Sequence, residues 1–146
     1  MKIDKINTNI LHNLKSDGRV SMSELSERVG LSVSACLRRV QELERTGIIE
    51  GYYAKLNSQK LGKSFVAYVT IGLSDHSKTS LERFEKAVLA AEEITECHNT
   101  TGTTEYLLRI EATDLKHYKL FHTDVLGTLP QVNSIMTSVV MDSLKY

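Results

Sequence analysis

The sequence predicts an α+β protein made of two small domains, and three observations carry this prediction. Apolar residues recur at helical spacing over 1–60, whereas strand-like and helix-like segments alternate over 61–146. The charge divides at the same place, with ten Lys and Arg against seven Asp and Glu in the first part and eight against eleven in the second. A chain of 146 residues also has room for one ordinary domain or two very small ones. We therefore predict one domain over 1–60 and a second over 61–146.

The first domain has the pattern of a winged helix-turn-helix. Ser21 stands three residues before Glu24, the spacing of a capping box, and a glycine at position 30 can close the helix that follows. The predicted elements are a helix over about 4–15, a short helix between Ser21 and Gly30, a third helix capped by Ser32 or Ser34, and a β-hairpin over 48–56.

This order of elements predicts DNA binding, because the major groove admits one helix and its base edges are read from near that helix's N-terminus. The residues predicted to face the bases are Ser32, Ser34, Ala35 and Arg38. Those predicted to contact phosphates are Arg39, Arg45 and Lys55. The alternative is a helical packing module whose arginines are simply solvated.

The second domain has the order β-α-β-β-α-β, which is the ferredoxin-like arrangement. The predicted strands are 65–71, 94–101, 105–112 and 132–141, with helices over about 79–92 and from Asp114 onward. Both sets of alternate residues in the first strand are rather apolar. A strand covered on both faces favours a homodimer.

Composition excludes several classes of protein. The longest apolar runs are a few residues, far short of the ~20 that cross a bilayer, and the N-terminus does not resemble a signal peptide. Two cysteines 61 positions apart do not make a disulfide framework, so we expect a reducing cytoplasm. Cys97 and His98 are adjacent and would point to opposite faces of a strand, which disfavours a metal site. We predict no catalytic site, no metal and no cofactor.

Beyond these patterns, the sequence resembles the Lrp/AsnC (feast/famine) transcriptional regulators over essentially its whole length. The resemblance rests on three runs: Gly30-Leu31-Ser32, Cys36-x-Arg38-Arg39-Val40-x-x-Leu43-Glu44, and Gly47-Ile48-Ile49-x-Gly51-Tyr52. It implies a double-stranded DNA partner, dimerisation through the C-terminal sheet and the linker, and further assembly up to octamers.

The family resemblance also implies an amino-acid effector near the turn between the second and third strands. That turn commonly reads Gly-Asp-Tyr-Asp-Tyr, and here it is Gly102-Thr103-Thr104-Glu105-Tyr106, with one acid and one tyrosine replaced by threonine. A plain turn with a solvated acid is the alternative. The residues implied for the effector are Gly102, Thr103, Thr104, Glu105, Thr137 and Ser138.

Two other functions remain open at this point. Certain tetrapyrrole decarboxylases of the siroheme type resemble this family in both domains and are enzymes. A pure ligand sensor that acts through protein contacts is the third possibility. The basic face of the third helix favours a cytoplasmic DNA-binding regulator over both.

Overall fold

A computed structural model describes residues 3–145. Residues 1, 2 and 146, which the predicted domains include, lie outside the described residues. The chain divides into two compact units, and the boundary between them in the sequence falls between Leu56 and Asn57. Each unit has a hydrophobic core of its own, and the two cores share no residue.

The N-terminal unit consists of three helices: α1 (Lys5–Ser16), α2 (Met22–Val29) and α3 (Val33–Arg45). The side chains of Asp4, Ser21 and Ser32 each accept a backbone N–H bond and so cap these helices. Gly30 ends α2 with φ of 70°, a conformation that other residues rarely adopt. The buried apolar residues of this unit are Ile10, Val20, Leu25, Cys36, Val40 and Leu43.

The predicted hairpin over 48–56 is wrong, because no strand lies between α3 and Phe65 in the described chain. The backbone N–H groups of Ile48 and Ile49 both donate to the carbonyl of Leu43, at 3.0 and 3.1 Å. These bonds complete the end of α3, so the two isoleucines are not available to begin a strand. An isolated two-stranded hairpin is also marginal in water, and nothing else in the unit pairs with it.

The C-terminal unit has the predicted ferredoxin-like order. Its antiparallel sheet has the strand order β2-β3-β1-β4. The elements are β1 (Phe65–Leu73), α4 (Lys78–Ala90), β2 (Ile94–Asn99), β3 (Tyr106–Ala112), α5 (Leu115–Asp124), a short 3-10 helix (Leu126–Thr128) and β4 (Val132–Val139).

The two faces of this sheet differ in cover. Alternate residues of β1 and β3 pack with Phe84 of α4 and Phe121 of α5 to form the core. Phe84 is fully buried, and its ring centroid lies 4.5 Å from that of Tyr106. The opposite face, which we call the open face, carries Tyr68, Arg109 and Met136, and no helix of this unit's core packs there.

Candidate nucleic-acid and effector sites

The start of α3 exposes the side chains expected of a recognition helix. Ser32 caps the helix by accepting the N–H of Ala35 at 3.3 Å, and its hydroxyl lies 3.4 Å from that of Ser34. Ser34 and Arg38 are exposed and lie one turn apart, so both project from the same side of the helix. This arrangement leaves hydroxyl and guanidinium donors facing solvent at the helix N-terminus.

Two apolar residues on α3 share the spacing of the core yet remain exposed. Val33 is 48% exposed and Leu37 is 41% exposed, whereas Cys36 and Val40 are buried. They flank the exposed polar side chains and offer apolar groups of the kind that contact thymine methyls. Sequence spacing alone does not identify Val33 and Leu37 as exposed, because their positions fit the apolar face of α3 that packs into the core.

The three arginines of α3 have different surroundings. Among residues 3–145, no side chain forms an ion pair or hydrogen bond with Arg38. Arg39 donates to Asp4 Oδ2 at 2.7 Å and to Asn7 Oδ1 at 2.9 Å, and it is half-buried. Arg45 makes two bonds to Glu42, at 2.8 and 2.7 Å. Arg38 is therefore the arginine of α3 best placed to bind an external acceptor.

The contact between Arg39 and Asp4 joins α3 to the start of α1. Arg39 therefore has a structural role, which disfavours its use in phosphate binding. Asp4 also caps α1 through the N–H of Asn7 at 2.7 Å. That backbone bond, followed by the Arg39 contact, lowers the pKa of the Asp4 carboxyl. The partner of Arg39 lies 35 residues away in the sequence, so local spacing does not reveal it.

We expect Asp4→Asn to lower the thermal unfolding midpoint at pH 7, because asparagine can still cap α1 but cannot pair with Arg39. A carboxyl whose pKa is lowered on folding stabilises the fold above its usual pKa, and that contribution is lost as the pH falls through the lowered value. The difference between variant and wild type should therefore shrink toward zero in acid. Thermal unfolding from pH 7 downward measures this. Glu27→Gln, at an exposed position on α2, is the control, and equal shifts in both variants would contradict the role of Asp4.

The segment after α3 is held against that helix. Tyr52 donates its phenol to Glu44 Oε1 at 2.8 Å, and burial together with this carboxylate raises the pKa of Tyr52 to about 12. Lys55 follows in the same segment and is exposed. The Tyr52 contact places this irregular segment beside the C-terminal half of α3.

The turn between β2 and β3 holds its carboxylate in a defined position. Gly102 has φ of 136°, in the region that favours glycine, and Thr103 is exposed. The carbonyl of Thr104 accepts a bond from the Thr100 hydroxyl at 3.2 Å. Glu105 Oε2 accepts the N–H of Leu73 at 2.6 Å.

Glu105 also has a side-chain partner. Its Oε1 lies 2.8 Å from Nε2 of His76, in the loop between β1 and α4. The His76 bond, followed by the Leu73 N–H, lowers the pKa of Glu105, so this carboxylate is ionised at neutral pH. The last residue of the turn motif, Tyr106, is a core residue whose phenol donates to Glu85 at 2.8 Å.

Thr137 and Ser138 do not join this turn within one chain. They pair with Val69 and Tyr68 of β1, whereas Glu105 contacts Leu73, about 13 Å further along that strand. The Thr137 hydroxyl bonds that of Tyr118 on the covered side of the sheet, and Ser138 is exposed. The six residues implied for the effector therefore form two separate groups in a protomer.

A cluster of metal ligands and a membrane-spanning helix are both absent from residues 3–145. No group of three or more His, Cys, Asp or Glu in this range could hold a metal ion. Within the same range, no helix has the length and apolar character needed to cross a membrane. Cys36 is buried, and burial raises the pKa of its thiol, as expected of a packed side chain.

Two protein-family models match the chain. Residues 3–50 match a winged helix-turn-helix DNA-binding model, and residues 66–146 match the Lrp/AsnC ligand binding domain. The chain belongs to the Lrp/AsnC family. This Lrp/AsnC protein is 44% identical to the leucine-responsive regulatory protein of Escherichia coli strain K12 over 143 residues, which is 98% of this chain and 87% of that protein.

Solved structures of Lrp/AsnC relatives have the same fold. The L-Met complex of transcriptional regulator NMB0573 from Neisseria meningitidis matches with a TM-score of 0.95 and 34% identity, over 99% of this chain and 94% of that one. The feast or famine regulatory protein Rv3291c from M. tuberculosis, complexed with L-methionine, matches with a TM-score of 0.86 and 27% identity, over 99% and 96%. The chain is thus a DNA-binding transcriptional regulator. The comparisons give no support to the decarboxylase alternative, and the protein is not an enzyme.

Proposed function

We propose that this regulator binds near-palindromic DNA sites as a homodimer and that a free amino acid modulates the binding. The observation that carries the DNA half of the proposal is the exposed start of α3, where Ser34 and Arg38 face solvent and Arg38 has no partner within residues 3–145. An arginine in this position can donate two bonds to a guanine edge. Two such helices in a dimer read half-sites about 10 bp apart, or a multiple of this spacing.

The open face of the C-terminal sheet is the proposed dimer interface. Tyr68 is 41% exposed and Met136 is 64% exposed on this face, and the Thr70 hydroxyl is buried without a hydrogen-bond partner among the described residues. Arg109 and Glu111 form an ion pair there, so the surface combines apolar area with complementary charges. Such a surface suits a two-fold contact in which each copy presents the same patch. Further assembly of dimers, up to octamers, and a cytoplasmic location belong to the same proposal.

The turn at Gly102–Glu105 is the proposed effector site. Glu105 is an ionised carboxylate held by a backbone N–H, and such a group can accept a bond from the α-ammonium of an amino acid. The two relatives complexed with L-methionine support an amino acid as the class of ligand. The roles of Thr137 and Ser138 stay predictions. They can join this site only if a second protomer brings its own Thr137 and Ser138 to the turn.

Genomic mapping of binding sites, with and without a panel of amino acids, tests this function directly. We expect a limited set of near-palindromic sites whose occupancy changes with at least one amino acid. Uniform occupancy unrelated to sequence would contradict specific regulation. A site pattern that no amino acid alters would contradict the effector half alone.

Arg45→Ala should weaken all DNA sites to a similar degree if, as we propose, Arg45 at the end of α3 contacts a phosphate and not a base. The slope of log K against log salt is negative, and losing one phosphate contact per protomer reduces its magnitude by about 0.9 for each contact. Binding isotherms at several salt concentrations measure this slope. Glu42→Gln should have the opposite effect. It removes the carboxylate that pairs with Arg45, so DNA binding should become stronger. An unchanged slope in both variants would remove Arg45 from the interface.

A further inference from the structure

The carboxylate at the proposed effector site is already occupied by groups of the same chain. Glu105 Oε2 accepts the Leu73 N–H at 2.6 Å, and Oε1 contacts His76 Nε2 at 2.8 Å. The Glu105 side chain is 24% exposed, whereas that of His76 is 64% exposed. The backbone bond holds the carboxylate in place, and the imidazole covers the oxygen that an incoming ammonium would need.

The two contacts differ in how readily they can be given up. Leu73 lies in β1, and its N–H cannot leave without disturbing the strand. His76 lies in a loop and is largely in solvent, so a side-chain rotation releases it. His76 is therefore the contact at Glu105 that an incoming ligand can displace.

We propose that His76 is an internal competitor that occupies the ammonium position at Glu105 and makes effector binding depend on pH. This inference rests on the proposed effector site at the turn. A protonated imidazole holds the carboxylate as a charged hydrogen-bond partner, and a neutral one holds it less strongly. Histidine changes charge between pH 5 and 8, whereas a free amino acid keeps its ammonium charge throughout this range.

The other charged groups near His76 do not change the direction of this effect. Asp75 adjoins His76 and is bonded to the N–H and hydroxyl of Ser77, at 2.9 and 2.8 Å. Those bonds, and the histidine beside it, lower the pKa of Asp75, so it stays ionised across the range. Lys78, at the start of α4, is paired with Glu82 at 3.7 Å. The side chain that faces Glu105 with a hydrogen bond is thus the imidazole of His76.

Calorimetric titration of the full-length protein with L-methionine and with L-leucine, between pH 5.5 and 7.5, tests the inference. In the wild type we expect affinity to rise with pH, by at most about tenfold per pH unit, the limit for one competing proton. His76→Ala should bind more tightly than wild type at pH 5.5 and lose the pH dependence. Because the His76 side chain is exposed, the thermal unfolding of the His76→Ala protein should match that of the wild type.

His117→Ala is the matched control, since the His117 imidazole on α5 is partly exposed and its Nε2 lies 3.2 Å from a glutamate oxygen, Oε1 of Glu93. It should keep the affinity and pH dependence of the wild type. A His76→Ala variant with the same pH dependence as the wild type would overturn the inference and leave amino-acid binding intact. Wild-type affinity in Glu105→Gln would also overturn it, because the ligand would then bind elsewhere. No binding of L-methionine, L-leucine or any other member of the amino-acid panel to any variant would overturn the effector function itself.

Discussion

Arg38→Ala is expected to cost about 1–3 kcal/mol of binding free energy at a cognate site and to relax the preference for its sequence. The reason is that Arg38 projects from the exposed start of α3 with no partner among the described residues, so it brings both of its guanidinium edges to the DNA. Non-specific DNA should lose little affinity, since one base contact is removed and the phosphate contacts stay. Competition binding with cognate and scrambled duplexes separates the two quantities.

Arg38→Lys sharpens this test. Lysine keeps the positive charge but lacks the planar fork that donates two parallel bonds. If Arg38 reads a base, the lysine variant should resemble alanine in specificity and the wild type in salt dependence. If Arg38 meets a phosphate instead, lysine should restore binding at every sequence. Equal binding of wild type and Arg38→Ala to a footprinted promoter would remove Arg38 from the recognition surface.

Local chemistry made most of the fold predictable. The caps at Ser21 and Ser32 and the left-handed turn at Gly30 depend on residues within three or four positions, so the helices could be placed from their spacing alone. The strands of the second unit were predictable for a similar reason, because β-rich runs stand between clear helix signals. The hairpin failed because the same apolar residues serve equally well to close α3, and the choice depends on hydrogen bonds to Leu43.

The site was less predictable than the fold, because long-range pairing decides which side chains stay available. Arg38 and Arg39 are adjacent and chemically identical, yet Asp4 engages one and leaves the other exposed. The partner of Glu105 is His76, 29 residues earlier, and no local motif links them. Sequence can therefore propose the residue types of a site, but the free and the occupied members are distinguished by tertiary contacts.

Tyr68→Asp should have the largest effect on function, because it introduces a charge at the centre of the open face. Tyr68 lies between Arg109 of β3 and Ser138 of β4, and it is 41% exposed, so the protomer can fold without it. In a two-fold dimer each copy presents the same patch, and the new carboxylate has to be buried near its counterpart. Separation of the dimer also removes the gain from linked binding, so affinity for a palindromic site should fall by about 10²–10⁴-fold.

Leu89→Asp is the control for Tyr68→Asp. Leu89 lies on α4, away from the open face, and is 88% exposed, so the same charge there should leave both dimer and DNA binding intact. Sedimentation measures the oligomeric state, circular dichroism the fold, and DNA binding should be compared on a palindrome and on a single half-site. A Tyr68→Asp protein that remains dimeric would contradict the interface. A monomer with wild-type affinity for the palindrome would contradict the dependence of binding on two linked helices. Residues 1–60 carry ten Lys and Arg against seven Asp and Glu, a net charge of +3. Because this charge is small for a DNA-binding domain, we expect the monomer to bind a single half-site weakly.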